Sequence, residues 1–107
     1  MQSSADHKSG IESTVAGNKV TVYSKTYCPH AGASKKLLSE NGIDAKIIEL
    51  DNMGEQGAAI QAALKEMTGQ GTVPSVWVNG KHIGGNSDLQ SKGAAWVKEQ
   101  IAWIESP

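Results

Sequence analysis

The chain has 107 residues and a net charge of -1. That length suits one domain with one core, and the charge gives no reason to expect nucleic acid or an acidic membrane as a partner. The single cysteine excludes an internal disulfide and a cysteine-built zinc site.

Other exclusions follow from pattern. No apolar run reaches the roughly 18 residues of a membrane span, so no membrane partner is expected. His7, His30 and His82 are scattered without ligand spacing, so no metal site is expected. A lone thiol makes a reducing, cytoplasmic setting the default, with an organelle left open. Met1 to Gly10 is polar, carries no apolar signal core and reads as a flexible tail; residues 11–107 form the domain.

The spacing of Ile11 and Val15 predicts a short helix ending at Gly17-Asn18. Lys19 to Ser24 is rich in β-formers and predicts a strand, with Val20 and Val22 on one face and Thr21 and Tyr23 on the other. Lys25-Thr26-Tyr27 leads to Cys28-Pro29, where proline suits the first turn of a helix running to Glu40 and stopping at Asn41-Gly42. Ala45 to Leu50 predicts a second strand, and its adjacent Ile47 and Ile48 point to a central or parallel position buried on both faces.

Asn52 to Gly57 reads as a turn, and Ala58 to Thr68 as a helix with Ile60, Leu64 and Met67 on one stripe. Ser75–Val78 and Lys81–Ile83 flank Asn79-Gly80, a dipeptide that accepts the positive φ angles of a tight hairpin. Gly84-Gly85 follows, and Asn86-Ser87-Asp88 is suited to start a last helix reaching Glu105. Val97, Ile101 and Ile104 form its stripe, with Trp96 and Trp103 read as packing groups. An early βαβ unit plus a late hairpin implies a four-stranded mixed sheet with helices on both faces.

Three segments carry chemistry. Cys28 lies at the N-cap of a helix, where free N–H groups and the partial positive charge favour a thiolate. Isolated cysteines are often small buried hydrophobes, but an N-cap is exposed, which favours the reactive reading. Lys25 adds a nearby cation, and His30 either donates to the sulfur or points away. At Thr72-Val73-Pro74 a proline enters a strand; most such bonds are trans. At Gly84 to Asp88 the glycines permit close backbone approach, the helix start offers N–H donors to a carboxylate, and Asp88 is suited to an ammonium group. A plain loop and helix cap would carry the same residues.

Together these segments closely resemble the glutaredoxins: Tyr23-Ser24-Lys25-Thr26-Tyr27-Cys28-Pro29, Thr72-Val73-Pro74-Ser75-Val76, and Val78 through Leu89 with its Gly84-Gly85-Asn86-Ser87-Asp88 run. The resemblance spans roughly Asn18 to Leu89. It implies a thioredoxin-like α/β fold, a cis bond at Val73-Pro74, and glutathione as cosubstrate. By position, Cys28 would form the mixed disulfide. Lys25 and Gln61 would meet the glycine carboxylate, and Tyr27 would flank the sulfur. Val73 would pair its backbone with the cysteinyl unit. Ser87 and Asp88 would hold the γ-glutamyl end, and Thr72, Pro74 and Gly85 complete the set.

Departures from the family pattern shape the expectation. Ala31 stands where dithiol members place a second cysteine, His30 where an aromatic is common, and Gly71 where an arginine or lysine often precedes Thr-Val-Pro. The expected activity is therefore a monothiol, glutathione-dependent thiol–disulfide oxidoreductase, a monomer acting on glutathionylated proteins. The alternatives are a glutathione-ligated [2Fe–2S] dimer, which the rigid Pro29 disfavours, and a dithiol enzyme that has lost its resolving cysteine.

Overall fold

The computed structural model describes residues 4–105, with side chains over 5–102. In chain order the elements are α1 (Ser4–Ala16), β1 (Val20–Ser24), α2 (Pro29–Glu40), β2 (Lys46–Glu49), a 3-10 turn (Leu50–Asn52), α3 (Glu55–Thr68), β3 (Ser75–Val78), β4 (Lys81–Gly84) and α4 (Asn86–Glu105). The four strands form one mixed sheet in the order β2-β1-β3-β4. β1 pairs parallel with β2 and antiparallel with β3, and β3 pairs antiparallel with β4. This is the thioredoxin-like arrangement expected from the sequence.

Strand alternation splits the core into two layers. Val20, Val22, Val76 and Val78 face Leu38 of α2 and Leu89 and Val97 of α4. Tyr23 and Trp77 face the other way, onto Ile11 and Val15 of α1 and Ala63 and Leu64 of α3. Burial of Tyr23 raises its phenol pKa, opposed by a hydrogen bond with Thr14. β1 is therefore buried on both faces because it is central, and the alternation read from its sequence places each residue correctly.

Three expectations need correction. Helix α1 starts at Ser4, not Ile11, and Lys8 pairs with Glu66 of α3 at 2.7 Å, so much of the stretch read as a tail is helical; Met1 to Ser3 lie outside the described residues. β2 is parallel, as Ile47 and Ile48 implied, but it is an edge strand and only partly buried. Helix α3 begins at Glu55 and so takes in Gln56 and Gly57, which read as part of a turn.

The last helix also differs. Gly93 has φ 80° and ψ 163°, a backbone conformation outside the helical region that interrupts the run from Asn86 to Glu105. Val97 beyond the break is buried, Trp96 packs partly on the same core, and the Lys92 ammonium lies 4.5 Å from the Trp96 ring centre. The side chains of Trp103 and Ile104 lie outside those described. The hairpin forms as predicted, with Asn79 and Gly80 at φ 58° and 77°.

Candidate active site

The site lies where β1 gives way to α2. Cys28 is the N-cap of α2 in an extended conformation, with Pro29 in the first turn. The Cys28 N–H donates to the Lys25 carbonyl at 3.1 Å, so residues 25–28 close a tight turn before the helix starts. The thiol is part-exposed at the start of α2 and makes no capping hydrogen bond to the helix's first-turn N–H groups. Ala31, the position of a resolving thiol, is fully buried within α2.

A distant loop meets the sulfur. The Val73-Pro74 bond is cis. The Val73 carbonyl oxygen lies 3.8 Å from Cys28 Sγ. The amide of Gln70 straddles this loop, donating from Nε2 to the carbonyls of Thr72 and Pro74, each at 2.8 Å. Gln61 on α3 donates to the Gly71 carbonyl at 2.8 Å. Gly71 lies under the stem of Lys65: a Cβ there would come within 3.0 Å of Lys65 Cδ.

An open groove of about 450 Å³ runs from this loop to the start of α4, lined by His30, Gln70, Thr72, Val73, Pro74 and Gly85 through Asp88. That volume lies within the usual range for small-ligand sites. At its far end Asp88, in the first turn of α4, accepts the Gly85 N–H at 3.0 Å through Oδ2. This is the returning arm of a capping box. A side chain at Gly84 would collide with the Asp88 carboxylate, and Gly84 also has φ 134°. The Asn86 side chain serves a different purpose: its Oδ1 accepts from the buried Ser34 hydroxyl of α2 at 2.8 Å and from Gln90 Nε2 at 3.1 Å, joining α4 to the helix that carries Cys28.

Of the residues singled out in the sequence, Thr72, Val73, Pro74, Gly85, Ser87 and Asp88 line one groove, and Val73 touches Cys28. Lys25, Tyr27 and Gln61 lie outside that lining. Tyr27 is 71% exposed beside the thiol, Lys25 is part-buried on the Cys28 turn, and the Gln61 amide is occupied by Gly71. His30 lines the groove, and the sulfur's hydrogen-bond contact is with the Val73 carbonyl.

Sequence reading missed Gln70, Ser34 and Asp51. Asp51, in the 3-10 turn, accepts the Thr26 backbone N–H through Oδ1 at 3.0 Å and the Thr26 hydroxyl through Oδ2. Asp51 and Ser34 act through side-chain bonds to residues far along the chain, and Gln70 through carbonyls of its own folded loop, which no local pattern announces. Only the small polar Ser34 on an otherwise apolar helix face carried a signal.

The glutaredoxin family model matches residues 20–83. The chain is 44% identical over 86 residues to monothiol glutaredoxin-S12, chloroplastic, of Arabidopsis thaliana; the match covers 78% of this chain, which spans about half of that relative (48%). It is 50% identical over 78 residues to a glutaredoxin of Ricinus communis, covering 73% of this chain and 76% of the relative. In three dimensions it is similar to a buckwheat glutaredoxin–glutathione complex, with a TM-score of 0.88 and 36% identity over 95% of this chain and 93% of the other. The β1–α2 thiol, the cis-proline loop and the α4 start thus sit in a scaffold shared with these proteins, and the chain belongs to the glutaredoxin family.

Proposed function

We propose that the protein is a monothiol, glutathione-dependent thiol–disulfide oxidoreductase that removes glutathione from mixed disulfides through Cys28. The observation that carries this reading is a lone thiol 3.8 Å from the carbonyl of Val73, which lines a groove that Asp88 also lines. A groove with a thiol beside its Val73 wall and a carboxylate in its lining suits a peptide that carries a sulfur in its middle and an ammonium at one end. The buckwheat relative crystallised with glutathione supports the choice of that peptide.

In the first step the Cys28 thiolate attacks the glutathione sulfur of a mixed disulfide. The Cys28–glutathione bond forms, the bond to the client sulfur breaks, and the client leaves as a thiolate that takes up a proton. In the second step a glutathione thiolate attacks the same glutathione sulfur, releasing oxidised glutathione and the Cys28 thiolate.

The chain's own groups hold the substrate. The Val73 carbonyl accepts the cysteinyl N–H, the Asp88 carboxylate pairs with the γ-glutamyl ammonium, and the Ser87 hydroxyl and α4 N–H groups receive the glutamyl carboxylate. Thr72, Pro74 and Gly85 form the wall between. Lys25 meets the glycine carboxylate, joined by Gln61 once its amide leaves Gly71. Tyr27 flanks the sulfur. Because Ala31 offers no second thiol, each turnover needs a second glutathione.

The assay is reduction of a glutathionylated peptide coupled to glutathione reductase. Loss of turnover in Cys28→Ser, with the fold retained, is expected; full activity in that variant would refute the proposal.

A further inference from the structure

The turn that presents Cys28 is held from outside itself. Thr26 lies in the middle of that turn, and both of its donors go to one carboxylate: the N–H to Asp51 Oδ1 at 3.0 Å and the hydroxyl to Asp51 Oδ2. Two bonds from one residue to the two oxygens of a planar group fix orientation as well as distance. Asp51 is itself anchored. It follows Leu50, which is 2% exposed in the core, and Met53 N–H closes the 3-10 turn on the Leu50 carbonyl at 3.1 Å.

The carboxylate therefore ties the turn that follows β1 to a turn rooted under α3. Its pKa is held below the ordinary value, first by the Thr26 hydroxyl, then by the Thr26 N–H, with Lys25 adding a weaker attraction. It stays ionised, and the clamp intact, throughout the neutral range.

We propose that Asp51 is a positioning residue for the Cys28 reaction, clamping Thr26 so that the turn delivers the sulfur to its place beside Val73. The proposal rests on Cys28 as the attacking sulfur. Asp51 touches neither sulfur nor groove, so its effect is on the geometry of attack and not on substrate binding.

Three variants separate geometry from charge. Asp51→Ala removes both acceptors. Asp51→Asn removes the charge but can still accept the Thr26 N–H at Oδ1 and donate from Nδ2 to the hydroxyl, so it should rescue. Thr26→Val deletes the hydroxyl bond alone. Since displacement of a reacting atom by about 1 Å costs as much as a hundredfold, a roughly tenfold fall in kcat is expected for Asp51→Ala, with KM for glutathione within about twofold. Asp51→Asn should keep kcat within about twofold, and Thr26→Val should fall between.

Amide hydrogen exchange at Thr26 and Cys28 gives a readout that needs no activity: about tenfold faster in Asp51→Ala, unchanged in Asp51→Asn. If the wild-type protein failed to deglutathionylate, the functional reading would fall while exchange still judged the clamp. Wild-type exchange and kcat in Asp51→Ala would overturn the proposal. So would an Asp51→Asn variant as impaired as Asp51→Ala, because charge alone would then explain both.

Discussion

Replacing Gly57 by alanine should destabilise the protein, although alanine is the better helix former. Gly57 sits in the first turns of α3 and is buried against the 3-10 turn. A Cβ there would overlap the Leu50 carbonyl oxygen and lie 2.9 Å from its carbon. The obstacle is backbone and cannot rotate away, so the cost falls near the top of the overpacking range, about 3 kcal/mol. Helix propensity returns about 1 kcal/mol, leaving a net loss of about 2 kcal/mol. For a domain of this size that lowers Tm by roughly 10 °C.

Gly32 is the internal control. It lies in α2, exposed, and a Cβ there meets nothing within 4 Å. Gly32→Ala should stabilise by up to about 1 kcal/mol. Urea unfolding followed by tryptophan fluorescence measures both. Opposite signs are expected; a Gly57→Ala variant as stable as wild type, or stabilised like Gly32→Ala, would refute the close contact between α3 and the turn that carries Asp51.

Other outcomes follow from the site. Asp88→Asn can still accept the Gly85 N–H, so unfolding should be unchanged while KM for glutathione rises about fivefold, the worth of an exposed charge-assisted bond; loss of stability instead would make Asp88 a cap alone. Ala31→Cys should open a dithiol route, seen as reduction of insulin disulfides that the parent protein lacks, and no gain would place Ala31 out of reach of Cys28. Burial lowers the His82 pKa, partly opposed by Asp88, and its Nε2 is buried without a partner among the described residues. Folding thus favours neutral His82, and stability should be full above the unfolded value of about 6.5 and fall on acidification below it. Urea midpoints between about pH 7.5 and about pH 5.5 should show that decline, and His82→Phe should flatten it.

Much of the fold was legible because local chemistry and tertiary role coincide. Val20 and Val22 alternate with Thr21 and Tyr23, and a central strand needs both faces apolar. Asn79-Gly80 turns because both residues adopt positive φ. Pro29 opens α2 where its missing N–H costs nothing.

The failures have physical causes as well. Gly57 has the composition of a turn but serves as the flat spot on a helix where a carbonyl approaches. Ile47 and Ile48 signal two apolar neighbours, which an edge strand covered by loops and helices satisfies as well as a central one. In the site, residues joined by one groove stood out in short motifs. The supports of that groove did not, because Gln70, Asp51 and Ser34 each act on backbone or side chains set by tertiary packing.

The central claim is that Cys28 alone carries glutathione through a turnover. Intact-protein mass spectrometry after incubation with oxidised glutathione tests it directly. One glutathione adduct is expected, located on Cys28 and removed by reduced glutathione. No adduct, or an adduct that reduced glutathione leaves in place, would contradict it.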